Sequence, residues 1–175
     1  MAFELDQFRL DGKVAVVTGA GGRGNSIGRA YALGLANAGA AVVVADLNGA
    51  GAQAVADEIV SAGGRAIGVA ADVADEAAAL AMAAAAVEAF GGTGILVNNA
   101  ALMVAVSYDN CETVSMDAWR RAFAVNLDGA LLCARACIPS MRARGGGRII
   151  NQGSGGAFPA SGLYGITKLA LVGLT

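Results

Sequence analysis

Five short apolar runs separated by helical stretches constrain this chain more than any other feature. Lys13–Thr18, Ala41–Asp46, Arg65–Ala70, Gly94–Asn98 and Gly147–Asn151 are almost continuous in Val, Ile, Leu and Ala. Uninterrupted runs of this length are expected of strands covered on both faces, which is the usual situation of a parallel sheet. Helical text at about 26–38, 49–62, 75–90, 116–143 and 161–175 lies between and after them, enough for right-handed crossovers on both sides of the sheet. No linker, charge block or internal repeat divides the sequence, so it reads as one α/β domain over 1–175.

In the first helix Ile27, Ala30, Tyr31, Gly34, Leu35 and Ala38 fall on one stripe, with Ser26 at the capping position and Gly39 at the stop. Ala77–Ala89 is rich in the best helix former, and Leu80, Met82, Val87 and Phe90 are expected to give it packing surface. The final residues, Lys168–Thr175, are still apolar helical text. That points to a fragment of a longer chain, or to a domain whose open face another segment covers.

Charge and composition exclude several classes of function. Twelve Lys and Arg against 14 Asp and Glu give a net charge of -2, which provides no global basic surface for nucleic acid. The absence of His removes His-based triads, His-ligated zinc and imidazole bases, leaving Tyr, Lys, Cys and carboxylates for proton chemistry. Cys111, Cys133 and Cys137 are an odd number without metal-ligand spacing, so no metal site is expected and a reduced, cytoplasmic setting is the default. Cys133 and Cys137 stand one turn apart and read as packing residues. No apolar run approaches the ~20 residues of a membrane span, and Met1–Leu10 carries Glu4, Asp6 and Arg9 rather than a signal pattern. A soluble protein without a membrane partner is expected.

Thr18-Gly-Ala-Gly-Gly-Arg-Gly-Asn-Ser-Ile-Gly28 joins the first strand to the first helix. Strand, glycines and helix in that order suit a phosphate: the backbone turns tightly, and the free N–H groups and dipole of the helix N-terminus stabilise negative charge. Gly19, Gly21 and Gly24 match G-x-G-x-x-G literally, but the helical period begins only at Ile27. The favoured register is therefore Gly19 with Ser26, Ile27 and Gly28, the last packing helix against strand. Asp46 ends the second strand 18 residues beyond Gly28, where a carboxylate accepts from ribose hydroxyls and repels a 2′-phosphate, favouring NAD(H) over NADP(H). Arg23 is the opposing feature, and reads more simply as a solvated loop residue. Asp72 and Val73, just beyond the third strand, fall at the same sheet edge and are expected to meet the adenine.

Tyr164 and Lys168 stand four apart in helical text and so share a face. A neighbouring ammonium stabilises phenolate, which is how a tyrosine becomes a usable general acid and base. Ser154, in the loop after the fifth strand, is placed to hydrogen-bond a developing alkoxide.

Together these residues resemble the short-chain dehydrogenase/reductase family. The likeness is carried by Thr18–Gly28, Asp72, Asn98-Asn-Ala-Ala101, Asn126 in Val-Asn-Leu-Asp-Gly129, Ser154 and Tyr164-Gly-Ile-Thr-Lys168, in the family's order at roughly its intervals. It implies a doubly wound, three-layer Rossmann fold and a catalytic tetrad of Asn126, Ser154, Tyr164 and Lys168. In that tetrad Tyr164 exchanges a proton with the substrate oxygen and Ser154 polarises it. Lys168 holds the nicotinamide ribose, and Asn126 keeps a water in line with Lys168. The segment containing Asn98 and Ala100 lines the cofactor cleft.

There are departures as well. The glycine loop is three residues longer than usual, with Ser26 in place of the middle glycine, as in enoyl-thioester reductases of the same superfamily. The Tyr164 to Lys168 spacing favours carbonyl and alcohol chemistry over enoyl reduction. Ser154 and Tyr164 are only 10 apart, and Gly94 stands where Asp is common. Family members continue through two further strands, so an end at Thr175 would leave the fifth strand unpaired on one side and the chain without half of its substrate pocket. The resemblance implies an NAD(H)-dependent oxidoreductase acting on a secondary alcohol or ketone, with a nucleotide-binding protein without turnover as the alternative. A homodimer or homotetramer formed through 116–143 and 161–175 is implied too. The Val, Met, Ala and Phe content of 102–117 and 153–163 suits an uncharged substrate.

Overall fold

The computed structural model describes residues 5–22, 26–103, 112–158 and 162–175. Its sheet contains β1 (Val14–Thr18), β2 (Ala41–Asp46), β3 (Arg65–Ala70), β4 (Ile95–Asn98) and β5 (Arg148–Asn151), all parallel, in the order β3-β2-β1-β4-β5. The helices are α1 (Ile27–Asn37), α2 (Gly49–Ser61), α3 (Glu76–Phe90), α4 (Met116–Phe123), α5 (Gly129–Ala143) and α6 (Gly162–Leu174). The chain winds outward from β1 through β2 to β3 and then crosses back to β4 and β5. The strand order reverses beside β1, and ligand clefts of open α/β sheets form at that point.

Alternation along the strands sorts the core into two layers. Ala15, Val17, Val42, Val44 and Val97 pack with α1 and α2, whereas Val16, Val43 and Leu96 pack with α3 and α5. β1 and β4 are buried throughout and β2 up to Asp46. β3 and β5 are the edges, and Ile149 and Ile150 are 37% and 41% exposed. This corrects the expectation that all five strands are covered on both faces, because apolar composition marks a strand without giving its place in the sheet.

Two helices turn a different face inward from the one their large apolar residues suggest. In α1 the buried residues are Gly28 and Ala32, with Tyr31, Leu35 and Ala36 beside them, while Ile27 is 60% exposed and Ala30 and Gly34 also face out. In α3 the buried residues are Ala79, Met82, Ala83 and Ala86, and Leu80 and Val87 are exposed. Small residues let the helix backbone approach the sheet closely, and that contact outweighs the burial of one larger side chain.

Residues 116–143 run as one helical segment in which α4 passes into α5 through a π turn, Ala124–Asp128. By length and composition alone this segment could cross a bilayer, although charged residues interrupt its apolar runs. Ala122, Asn126, Cys133, Cys137 and Met141 are buried along it, as in a core helix. Burial pushes the Cys133 thiol up to about 12 and the Cys137 thiol up to about 11. Both are therefore expected to resist a thiol reagent at pH 8 in the folded protein and to react fully in denaturant, which mass spectrometry of labelled peptides would read. Cys111 lies outside the described residues.

Candidate active site

The carboxyl edge of the sheet opens into a cleft of about 420 Å³ whose lining includes Gly19, Asp46, Asp72, Val73 and Ala100. Gly19 has a left-handed φ of 65°, and a Cβ there would come within 2.6 Å of the Ala100 Cα. A Cβ on Gly28 would strike the Gly19 carbonyl and lie 2.6 Å from Asn99 Nδ2. Ser26 caps α1, its hydroxyl accepting from the Arg29 N–H at 3.3 Å, and Ile27 is the first helical residue. The helix thus starts where the Gly19 and Ser26–Gly28 register places it; Arg23 and Gly24 lie outside the described residues.

Asp46 is fixed at both oxygens. Oδ2 accepts from the Gly21 N–H and Oδ1 from the Asn48 N–H, each at 2.9 Å. A Cβ on Gly21 would come within 2.5 Å of the Ala52 nitrogen and 2.8 Å of Asp46 Cβ, so the absence of a side chain there brings the loop onto α2 and onto the carboxylate. This contact was not apparent from the sequence, since 25 residues separate its partners. Asp72 is exposed and accepts from the Ala74 N–H at 3.0 Å. Val73 is buried, where a Cβ on Gly129 would crowd it at 2.8 Å.

The segment after β4 is bound to the glycine loop. Thr18 Oγ1 accepts from the N–H groups of Asn99 at 3.1 Å and Ala100 at 3.2 Å, and Asn99 Nδ2 donates to the carbonyls of Thr18 and Gly19, both at 3.0 Å. Asn98 Nδ2 donates to the Ala130 carbonyl at 3.2 Å and to Asn151 Oδ1 at 2.9 Å. Of this pair, Ala100 lines the cleft, and Asn98 ties the end of β4 to α5 and β5.

Asn126 lies in the π turn and is 2% exposed. Its Oδ1 accepts from the Leu102 N–H at 2.7 Å, and its Nδ2 donates to the Leu102 carbonyl at 3.0 Å and to Thr167 Oγ1 at 2.9 Å. It therefore clamps the cleft wall to α6, and its side-chain bonds go to the residue beside Lys168 rather than to Lys168. π turns recur at functional sites because the extra residue re-aims the side chains around it.

Lys168 is 1% exposed, and its ammonium donates to the Gln152 carbonyl at 2.7 Å. Desolvation by burial lowers its pKa from the usual lysine value. Nζ lies 5.8 Å from the centre of the half-buried Tyr164 ring, which packs with Leu102, Trp119, Phe123 and Leu163. Ser154 is also half-buried and leads the short 3-10 turn Gly155–Ala157, its Oγ accepting from the Gly156 N–H at 3.1 Å. That turn packs against α6.

The parallel sheet and the reversal of strand order beside β1 make this a doubly wound α/β protein, with the glycine loop and the Asp46 carboxylate at the sheet edge where that class takes its ligands. A glycine cradle that any Cβ would fill, a capped helix N-terminus and a carboxylate held by two amides fit a dinucleotide. The family model for short chain dehydrogenases matches residues 13–175. An uncharacterized oxidoreductase of Mycobacterium tuberculosis is 50% identical over 166 residues, covering 95% of this chain and 66% of the relative. A cyclohexanol dehydrogenase of an Acinetobacter strain is 37% identical over 162 residues, 93% of this chain and 61% of the relative. Among solved structures, a 7α-hydroxysteroid dehydrogenase complexed with NADH and 7-oxo glycochenodeoxycholic acid superposes with a TM-score of 0.90 at 35% identity, over 99% of this chain and 66% of that one. The chain belongs to the short-chain dehydrogenase/reductase family of oxidoreductases, and spans about two thirds of the length of these relatives.

Proposed function

We propose that the protein interconverts a secondary alcohol and a ketone with NAD(H). The observation that carries this reading is the buried Lys168 ammonium beside the Tyr164 ring, on a helix joined to the cleft wall through Asn126. A nicotinamide held in the cleft would supply the hydride chemistry. The work of the chain's own residues is the proton and the positioning. Tyr164 Oη gives its proton to the carbonyl oxygen in reduction and takes it back in oxidation. Ser154 Oγ donates to the same oxygen. The Lys168 charge offsets the phenolate left behind and holds the nicotinamide ribose, and Asn126 orders the water through which the proton is replaced.

Asp46 supports NAD(H): with its oxygens fixed by two amides, its remaining lone pairs can accept from ribose hydroxyls, and its charge repels a 2′-phosphate. Asp46→Ala is expected to reduce the preference for NADH over NADPH by about tenfold or more, read as the ratio of the two dissociation constants. Cyclic secondary alcohols are the favoured substrates, because two relatives of different sequence carry such names. The test is NAD-dependent oxidation of cyclohexanol and of a 7α-hydroxysteroid, followed by NADH absorbance. Turnover of either supports the reading, and tight NADH binding without turnover of any alcohol or ketone favours a binding protein. Exposed Leu131, Ile166, Leu169 and Val172 on α5 and α6 support self-association through these helices, and the buried thiols suit a cytoplasmic setting.

A further inference from the structure

Gln152 is the residue on which three parts of the structure converge. Its N–H donates to the Asn98 carbonyl at 2.9 Å, continuing the β4–β5 ladder, and its own carbonyl receives the Lys168 ammonium at 2.7 Å. Its side chain is held at both ends. Oε1 accepts from the Tyr31 hydroxyl at 2.6 Å and Nε2 donates to the Gly153 carbonyl at 2.8 Å. The amide orientation is unambiguous, because a carbonyl accepts only and so must face the NH2 group. Tyr31 lies on α1, one turn beyond Gly28 and the end of the glycine loop.

We propose that Tyr31 and Gln152 form a positioning pair, which fixes the direction of the Gln152 carbonyl and thereby the seat of the Lys168 ammonium, linking the glycine-loop helix to the lysine. A buried ammonium with one neutral acceptor depends on the orientation of that acceptor. If Tyr31 lets go, the Gln152 side chain and the following peptide regain rotamer freedom, and the carbonyl no longer points at Nζ. The groups around Lys168 leave little else to hold it. Tyr164 faces it on its own helix, Thr167 and Asn126 bond to each other on the π-turn side, and burial, which lowers its pKa, makes the ammonium sensitive to the acceptor it has. The pair's functional meaning rests on the proposed role of Lys168, whereas its existence does not.

The sequence has two lysines, Lys13 and Lys168, so protein labelled with 13Cε-lysine gives two resonances and exposed Lys13 serves as an internal reference. Tyr31→Phe removes one hydroxyl, and Gln152→Met removes the carboxamide at similar length. Each is expected to lower the Lys168 titration midpoint by about half a pH unit or more while Lys13 stays in place, and the double variant is expected to go no further than the stronger single one. If one variant fails to fold, the other carries the test. An unchanged Lys168 midpoint in the folded variants, or fully additive effects, overturns the pair. NADH titration in parallel separates this result from the functional reading: wild-type protein that does not bind NADH contradicts the proposed function and leaves the lysine titration to decide the pair. Where NADH binds, Tyr31→Phe is expected to weaken it about threefold to tenfold.

Discussion

Tyr164→Phe is expected to lower kcat by about 10²- to 10⁴-fold while leaving NADH affinity within about twofold. The substitution removes one oxygen and keeps the ring that packs among Leu102, Trp119, Phe123 and Leu163. The bond that Tyr164 makes inside α6 uses its main-chain carbonyl, which accepts from Thr167 Oγ1 at 2.7 Å, so the helix is undisturbed. The melting temperature should therefore hold while turnover is lost, and steady-state kinetics beside a thermal melt reads both. If the phenol were only a packing residue, activity and stability would both survive. A fall in NADH affinity as large as the fall in turnover would instead point to a binding role.

The second large effect concerns the cradle. Gly28→Ala is expected to destabilise the protein by about 1–3 kcal/mol, a fall of about 4–10 °C in Tm, and to weaken NADH binding more than tenfold. The added methyl meets the backbone carbonyl of Gly19, and beside it the Asn99 side-chain amide that is held in place by donating to that carbonyl. Relief requires that α1 move from β1 or that Gly19 leave its left-handed conformation, and either displaces the amides offered to the phosphates. Gly34→Ala on the same helix is the control. Among the described residues, nothing beyond its own helix backbone and chain neighbours lies within 4 Å of its added Cβ, and a mid-helix glycine replaced by alanine is expected to gain about 0.5–1 kcal/mol. Opposite signs at these two glycines, seen in paired melts and calorimetry, would show that contact at Gly28 rather than helix propensity governs the cradle.

The elements of this fold were legible because each announces itself locally. Apolar runs mark β1 to β5, and Ser26 marks the start of α1. What stayed hidden depends on distance through the fold. The edge positions of β3 and β5 follow from strand order, which composition does not carry. The facing of α1 turns on the approach of Gly28 to Gly19, so Ile27 misleads. In the site, Tyr164, Lys168, Asp46 and the glycine register could be argued from spacing alone, whereas Asn126 gained a task only through family resemblance. The structure supplies its physical reason, a π turn that aims the carboxamide at Leu102 and Thr167. Tyr31 and Gln152 are 121 residues apart, and nothing in either neighbourhood marks them as partners.

Isothermal titration of the 175-residue chain with NADH and, separately, NADPH tests the central claim most directly. Saturable one-site binding of NADH with at least tenfold preference over NADPH, weakened more than tenfold in Gly28→Ala and with the preference reduced by about tenfold or more in Asp46→Ala, is the expected result. Equal affinity for the two, or no heat of binding with either in a protein that melts cooperatively, would contradict it.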